Sequence, residues 1–272
     1  MSVFLIILYS VLSDIFNSYR WVVISKHSCS FQASSEAYFL TSMLNILLPG
    51  RVGELSRFFY LKRYYKIPYN KSISIFTIDR SLDIIFLAFA TVIGVEFFFT
   101  TQQPYIYPTL FILLFFLLFY LVKYKKQNIF IFLKYIPSKF LRVYIKKIIK
   151  NISNNISTKI VLTASFYTLM VWFINGSFFV IFLKYVVHFD LTVSQSLLVY
   201  LASAIGMAIP LAPAGIGTFH FAVIYILSNY GIIYEKAVAT SILLHLIQIF
   251  PSLIGGLFVV LNYKIDINKV QK

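Results

Sequence analysis

The sequence predicts an all-α integral membrane protein, built as an inverted repeat with two re-entrant helix hairpins and about five full transmembrane helices. The first observation is composition: 60% of the 272 residues are hydrophobic and 12% are charged, against about 25% charged in soluble proteins. The second is a break of proline and glycine that interrupts an apolar segment twice. The third is a strongly basic stretch between the two broken segments. One membrane domain over residues 1–272 accounts for all three.

The first broken segment covers residues 36–66 and contains Pro49, Gly50 and Gly53. Proline removes a backbone donor and glycine lowers helix propensity, so one helix should end near Pro49 and another should begin near Gly53. Opened backbone at membrane depth is tolerated only where it is buried in protein or lines a wet cavity. The second half of the segment also carries Arg57 and three lysine or arginine residues after it. That much charge predicts a re-entrant hairpin rather than a second crossing.

The same device recurs within residues 193–230. Superposing Pro49 on Pro213 also aligns Gly53 with Gly217, and Gly215 lies between the second proline and Gly217. With a shift of one residue, the downstream polar pairs are Arg80 with His245 and Asp83 with Gln248. Two similar breaks with similar spacing are typical of transporters built from repeats. The alternative is two unrelated kinks that relieve packing.

Loop charges predict the orientation. The predicted full crossings are 3–24, 72–100, 109–122, 160–183 and 236–262. Residues 101–108 contain no Lys or Arg, whereas the linker at about 123–159 carries ten of them and no acid. Basic loops remain cytoplasmic, so the N-terminus should face outside and the C-terminus inside. Three crossings separate the broken segments, so the halves at about 36–100 and 193–262 are expected to be inverted.

Within the linker, apolar and basic residues alternate at helical spacing near residues 139–150, which predicts an amphipathic helix on the inner leaflet. The net charge of +15 is therefore explained by membrane topology, and a nucleic-acid partner is not expected. A single cysteine, Cys29, excludes an internal disulfide and a cysteine-built metal site. No cofactor is predicted. Cys29 should lie in a cytoplasmic loop, where an impermeant maleimide reaches it in inverted vesicles.

Ionisable groups inside the membrane cost about 2.5 kcal/mol or more each, which makes them site candidates. Asp79, Arg80 and Asp83 should lie about 10–17 Å into the bilayer as neighbours on one helix. His245 lies at a similar depth from the opposite side, and Gln248 follows one turn later. The two repeats are thus expected to direct polar groups toward one central region. The alternatives are a structural ion-pair network and a hydrogen-bonded core histidine.

The two loops should supply an anion site. Backbone amides exposed by Gly50, Gly53, Gly215 and Gly217 lie at the starts of half-helices, where the helix dipole is positive. Arg51 adds a full charge. Phosphate is the natural ligand of such an arrangement.

Other charged residues have more than one interpretation. Glu54 is expected to pair with Arg51 or Arg57 or to sense protons, and His220 could do either or be a plain interfacial residue. Arg20, beside two aromatic residues at the end of the first span, is typical of a membrane interface. No catalytic residue is predicted. The predicted substrate-binding residues are Arg51, Glu54, Arg57, Asp79, Arg80, Asp83, His245 and Gln248; the predicted phosphate loops comprise Pro49, Gly50, Gly53, Pro213, Gly215 and Gly217.

Several runs resemble a known family. These are residues 45–54 (NILLPGRVGE), Arg57, residues 79–83 (DRSLD), residues 213–217 (PAGIG) and residues 251–255 (PSLIG). They resemble the lysylphosphatidylglycerol synthase transmembrane-region family of flippase-like proteins. The resemblance implies a multi-pass inner-membrane protein of a bacterium or archaeon that moves a lipid or lipid-linked head group between leaflets. Some relatives carry an attached aminoacyl- or glycosyltransferase, so a separate transferase is a possible partner.

The chain departs from the family pattern at three points. No soluble domain is expected after Lys272, so the synthase activity is not carried over. His245 stands where the family's second-repeat arginine is expected. The chain also begins one helix late, so Met1 is expected to be a shortened start.

The sequence therefore predicts a lipid translocator that binds and reorients an anionic lipid without covalent catalysis. One alternative is a membrane-embedded transferase acting on polyprenyl-phosphate sugars. It would need paired acids for a divalent metal, and Arg80 competes for Asp79 and Asp83. The other alternative is a non-transporting scaffold for a separate transferase, which would depend on the basic linker and would tolerate loss of Arg80.

Overall fold

The computed structural model describes residues 3–99, 157–209 and 211–263, together with a few single positions between 131 and 150. Within these residues the regular structure is helical and contains no strand, which confirms the all-α prediction. The predicted crossing at 109–122 and most of the basic linker lie outside the described residues. Of the expected amphipathic helix, only positions 142, 143, 145, 146, 149 and 150 are described, and these are helical.

Eight α-helices have bounds within the described residues. They are α1 Val3–Ile24, α2 Phe31–Leu47, α3 Gly53–Tyr65, α4 Tyr69–Phe99, α5 Thr158–Tyr185, α6 Val193–Ala208, α7 Thr218–Asn229 and α8 Tyr234–Tyr263. The largest difference from the predicted bounds is that α2 begins at Phe31 rather than at residue 36. Ser30 causes the earlier start, because its side chain accepts a hydrogen bond from the Ala33 amide and caps the first turn.

Both breaks form where the sequence predicts them. A 3₁₀ turn at Pro49–Arg51 separates α2 from α3, and a second at Pro213–Gly215 separates α6 from α7. In each turn the two residues after the proline have left-handed backbone. The φ angles are +69° at Gly50 and +55° at Arg51 in the first turn, and +52° at Ala214 and +69° at Gly215 in the second.

The order of elements is the same in the two described halves. A long helix is followed by a hairpin of two shorter helices and then by another long helix, first in α1 to α4 and again in α5 to α8. The hairpin helices have 17 and 13 residues in the first half and 16 and 12 in the second.

Glycines bring the helices of each hairpin together. A Cβ atom at Gly53 would lie 2.6 Å from the Thr41 carbonyl oxygen, and one at Gly206 would lie 2.6 Å from that of Thr218. A larger residue would therefore push the helices apart. Small residues commonly occur between membrane helices because they allow this close approach.

Two apolar cores lie in the described part. One joins α1 to α4 with the end of α8, around Trp21, Leu44 and Leu61. The other joins α5 to α8, around Phe179 and Phe219. Helix α8 contributes to both, so it ties the two halves into one packed unit.

Large apolar side chains also cover outward faces. On α8 they recur every three or four residues, at Ile242, Leu246, Phe250, Ile254, Leu257 and Leu261. In water such a continuous face would be unfavourable, whereas hydrocarbon accepts it. Among the described residues, α5 and α8 are long and apolar enough to cross a membrane, with mean hydropathies of 1.8 and 2.0 over their most apolar stretches.

Candidate functional site

The two 3₁₀ turns contact each other between the hairpins. Arg51 of the first turn donates a hydrogen bond from Nη2 to the Met207 carbonyl oxygen, at 2.9 Å. Met207 lies in the last turn of α6, where carbonyl groups lack helical partners and carry partial negative charge. Arg51 therefore caps α6 and links the hairpins. A guanidinium group has five N–H donors, so this cap leaves Arg51 with donors for a ligand.

The four glycines predicted to open the loops have different surroundings. A Cβ atom at Gly217 would meet nothing within 4 Å, and one at Gly50 would meet only the Val52 side chain at 4.0 Å. In contrast, a Cβ at Gly215 would lie 2.8 Å from Met207 Sδ, and Gly53 is packed against α2. The structure therefore gives Gly53 a packing role, while Gly50 and Gly217 are the positions where a ligand has space.

Four charged side chains form a closed ring between α1 and α4. Arg20 lies 2.6 Å from Asp79 (Nε to Oδ1) and 2.6 Å from Asp83 (Nη1 to Oδ1). Arg80 lies 2.9 Å from Asp79 (Nη2 to Oδ2) and 3.4 Å from Asp83 (Nη1 to Oδ2). Arg20 also donates to the Thr168 hydroxyl at 3.0 Å. Signs alternate around the ring, so the charges of its members cancel.

The ring has a buried edge and an accessible edge. The side chains of Arg20 and Asp79 are each 1% exposed, whereas Asp83 is 25% and Arg80 30% exposed. The contact between Arg80 and Asp83 is also the longest of the four ion pairs. An anion that approaches the ring would therefore meet Arg80 first and compete there with Asp83.

The interpretation of Arg20 as an interface residue is wrong. Its guanidinium group is fully enclosed because two acids of α4 neutralise it, a contact that the local sequence does not show. One sequence signal could have found it. Within residues 79–83, two aspartates stand against one arginine, and an uncompensated acid at membrane depth needs either a second cation or a proton.

Arg57 and Glu54 do not form the expected pair. The Arg57 guanidinium carbon lies 4.3 Å from the centroid of the Trp21 ring and 5.8 Å from that of Tyr38. No ion pair between Glu54 and Arg51 or Arg57 occurs within 4 Å in the described part, and Glu54 Oε2 is buried without a hydrogen-bond partner. Arg57 is therefore held by aromatic faces, as a cation–π contact, instead of by the carboxylate.

His245 belongs to a hydrogen-bonded relay. Its Nε2 lies 3.0 Å from the Ala214 carbonyl oxygen and its Nδ1 lies 3.1 Å from His220 Nε2. His220 Nδ1 in turn lies 3.2 Å from the Ser241 hydroxyl, which lies 2.8 Å from the Val238 carbonyl oxygen. The relay joins the second 3₁₀ turn to α7 and α8.

Proton counting shows that this relay accepts two protonation states. With both imidazoles neutral, Ser241 donates to His220, His220 donates to His245, and His245 donates to the Ala214 carbonyl, which can only accept. When His245 takes up a proton, the two hydrogen bonds on either side of His220 change direction. His245 then donates to His220, His220 donates to the Ser241 hydroxyl, and Ser241 donates to the Val238 carbonyl. Every ring nitrogen is hydrogen-bonded in both states, so the extra proton leaves no donor without an acceptor.

A polar cavity of about 300 Å³ lies among α1, α2, α5, α6 and α8. Its lining includes hydroxyl and amide side chains and one carboxyl group, and no Lys, Arg or His occurs among the described lining residues. The polar lining residues are Ser13, Asp14, Asn17, Asn175, Ser203, Gln248 and Ser252, together with the tyrosines Tyr9, Tyr38 and Tyr200. Asp14 was not predicted as a site residue. An acid within an apolar helix is the sequence signal by which Asp79 was predicted, and the same signal could have identified Asp14.

The predicted central residues are divided among these features. Arg80 and Asp83 belong to the ion-pair ring, His245 belongs to the relay, and Gln248 lines the cavity. No described contact joins Arg80 to His245. The sequence-based expectation that the two halves direct Arg80 and His245 toward one central region is therefore not met in this conformation.

An apolar groove of about 740 Å³ lies between α4, α5 and α6. Its lining includes Phe86, Phe89, Leu169, Trp172 and Leu197. Tyr200 lines both this groove and the polar cavity. A polar and an apolar compartment are thus direct neighbours within the helix bundle.

Comparison with known proteins places the chain in a family. The family described as lysylphosphatidylglycerol synthase TM region matches residues 1–256. A UPF0104 membrane protein of Methanocaldococcus jannaschii is 27% identical over 224 residues, which cover 78% of this chain and 91% of that protein. No solved structure matches the chain. With a family match over nearly its whole length and helices apolar enough to span a bilayer, the chain is a membrane protein that belongs to the lysylphosphatidylglycerol synthase transmembrane-region family.

Proposed function

We propose that this protein is a flippase-like translocator, which moves an anionic phospholipid or a lipid-linked head group between leaflets by binding and reorientation. One observation carries the proposal: a polar cavity of about 300 Å³ adjoins an apolar groove of about 740 Å³, and Tyr200 lines both. A lipid has a polar head and apolar tails, so it matches two such compartments side by side. The reaction needs no covalent step, and we therefore do not propose an enzyme.

The proposed architecture is an inverted repeat with five full crossings in the inner membrane of a bacterium or archaeon. Hairpin helices of 12 to 17 residues rise by only about 18–26 Å, which is less than the hydrocarbon core of about 30 Å. These lengths support re-entrant hairpins. The matching left-handed pairs after Pro49 and Pro213 support a repeat, and the basic linker supports its inversion.

The head-group phosphate is proposed to contact the accessible edge of the ion-pair ring and the open loops. Arg80 is partly exposed and shares its weakest contact with Asp83. Arg51 lies where the two 3₁₀ turns meet, next to Gly50. A phosphate could therefore exchange places with the Asp83 carboxylate on Arg80, while Arg20 keeps Asp83 in position.

The geometry favours a translocator over an embedded transferase. All four carboxylate oxygens of Asp79 and Asp83 lie within 3.4 Å of arginine nitrogens. A divalent metal would have to displace those arginines to reach the acids. In the described part of the chain, no group of three or more His, Cys, Asp or Glu residues is arranged to hold a metal ion.

The test is leaflet-resolved lipid transport in proteoliposomes, with lipids that differ in head group and carry the same labelled tail. Arg80→Ala should lower transport of anionic lipids about tenfold or more, because hydrogen bonds to charged groups contribute about 1.5–3 kcal/mol. Arg63→Ala removes the same charge from an exposed position on α3 and should have no effect. Mass spectrometry of copurifying lipids identifies the natural head group. Transport by Arg80→Ala at the wild-type rate would favour the scaffold instead.

A further inference from the structure

Asp14 is a buried acid that belongs neither to the ion-pair ring nor to the histidine relay. It lies in the middle of α1, is 6% exposed and lines the polar cavity. Its Oδ2 atom is buried and has no hydrogen-bond partner. The Tyr38 hydroxyl of α2 interacts with the carboxyl group. A phenol is neutral, so the carboxyl has a polar neighbour but no counter-charge.

Among the described residues, no cation lies where it could neutralise Asp14. The neighbouring helices present Tyr38 from α2, Asn175 from α5, Tyr200 from α6 and Gln248 from α8, all of which are uncharged at neutral pH. On α3, Arg57 lies 5.8 Å from the centroid of the Tyr38 ring and is stacked on Trp21. On α4, Asp79, Arg80 and Asp83 belong to the closed ring with Arg20.

A proton satisfies this environment better than a metal cation does. A buried carboxylate without a counter-charge is strongly unfavourable, and the neutral acid removes that cost. A metal cation needs several oxygen ligands at once, whereas Oδ2 has no hydrogen-bonding neighbour. A proton needs one oxygen atom. The neighbouring cavity offers the polar path by which a proton would arrive and leave.

We propose that Asp14 is a proton-binding site that couples lipid movement to the proton gradient. The inference rests on the proposed function. In the conformation seen here the carboxyl group is closed off and carries the proton. When the cavity opens to water on one side, the O–H bond breaks, the proton leaves to water and the carboxylate is hydrated. Closing the cavity again requires a proton on the same group, and when that proton is taken up from the opposite side of the membrane, each cycle carries one proton across.

The experiment combines lipid transport with infrared spectroscopy on purified protein in liposomes. Under a pH difference of one unit, coupling to one proton predicts a leaflet ratio of labelled lipid of up to about tenfold. Asp14→Asn should abolish this dependence on the gradient, whereas Asp14→Glu should keep a response because it retains a titratable group. Asp190→Asn makes the same chemical change in an exposed loop and should behave as wild type. Infrared spectra should show a protonated carboxylic acid that is missing from Asp14→Asn and present in Asp190→Asn.

The outcomes separate the two proposals. A wild-type protein that moves lipid with a ratio independent of the pH difference would overturn the proton site and leave translocation intact. A ratio that follows a sodium gradient instead would also overturn it. If no lipid moves under any condition, the proposed function fails, and the infrared band still decides whether Asp14 holds a proton. Absence of that band in wild type would end the inference even if Asp14→Asn does not fold.

Discussion

Replacing Arg20 with alanine should destabilise the protein by about 3–5 kcal/mol, because removal of one partner leaves a buried charge uncompensated. Arg20 and Asp79 are each 1% exposed and 2.6 Å apart, and Arg20 also lies 2.6 Å from Asp83. The ring contains two positive and two negative groups, so loss of one arginine leaves a net charge of −1. Water cannot reach Asp79 to offset the change.

Two further variants calibrate that value. Arg80→Ala removes the same charge from a side chain that is 30% exposed, where water replaces much of the ion pair, so a loss of only about 1 kcal/mol is expected. Adding Asp79→Asn to Arg20→Ala removes the stranded charge and should recover about 0.5–3 kcal/mol of coupling energy. Arg20→Ala should therefore be less stable than the double variant, and the double variant should be less stable than wild type.

Thermal unfolding in detergent, followed by tryptophan fluorescence, measures these differences. On the scale of soluble domains of 150–250 residues, a loss of 3 kcal/mol lowers the Tm by about 6–12 °C. Trp21 is a suitable probe because it is 3% exposed and adjacent to Arg20 in the chain. An Arg20→Ala protein with a wild-type Tm, beside an Arg80→Ala protein that is strongly destabilised, would refute the view that Arg20 is the buried centre of the ring.

Three further predictions concern labelling, the loops and pH. Cys29 is 0% exposed and burial raises the pKa of its thiol to about 11, so an impermeant maleimide should label the native protein from neither side, contrary to the sequence-based expectation. The double variant Ser28→Cys and Cys29→Ala should be labelled in inverted vesicles only. Labelling of this variant in intact cells would reverse the predicted orientation of the protein. Gly217→Val places a side chain in open space at φ +91° and should lower lipid transport while expression persists. Transport at the wild-type rate would mean that this loop is only a kink in the backbone and does not bind the lipid. Arg80→Ala should lower lipid transport at every pH. His245→Ala should lower transport mainly at acidic pH, where the imidazole is charged, and His245→Arg should flatten the dependence of transport on pH. If neither histidine variant changes that pH dependence, His245 does not belong to the site.

Local chemistry made the breaks and helices predictable. Proline and glycine act on the backbone of their own turn, so the end of α2 before Pro49 and the start of α3 at Gly53 followed from the residues themselves. The same reasoning located the second break at Pro213, and the left-handed backbone that follows each proline agrees with the alignment of the two. Composition and the long apolar runs were likewise sufficient to predict an all-α membrane protein, because a helix that crosses the bilayer needs about 20 consecutive apolar residues.

Contacts between distant helices decided the rest. Whether Arg20 lies at an interface or inside an ion-pair ring depends on how α1 packs against α4, and periodicity along one helix does not contain that information. The burial of Cys29, the packing of Gly53 against α2 and the position of Gln248 in a cavity were decided in the same way. The sequence determined which of the described segments are helices and indicated that Asp79, Arg80 and Asp83 need partners. The tertiary structure decided which partner each charge received, because lateral packing depends on the shapes of facing surfaces that come from separate parts of the chain.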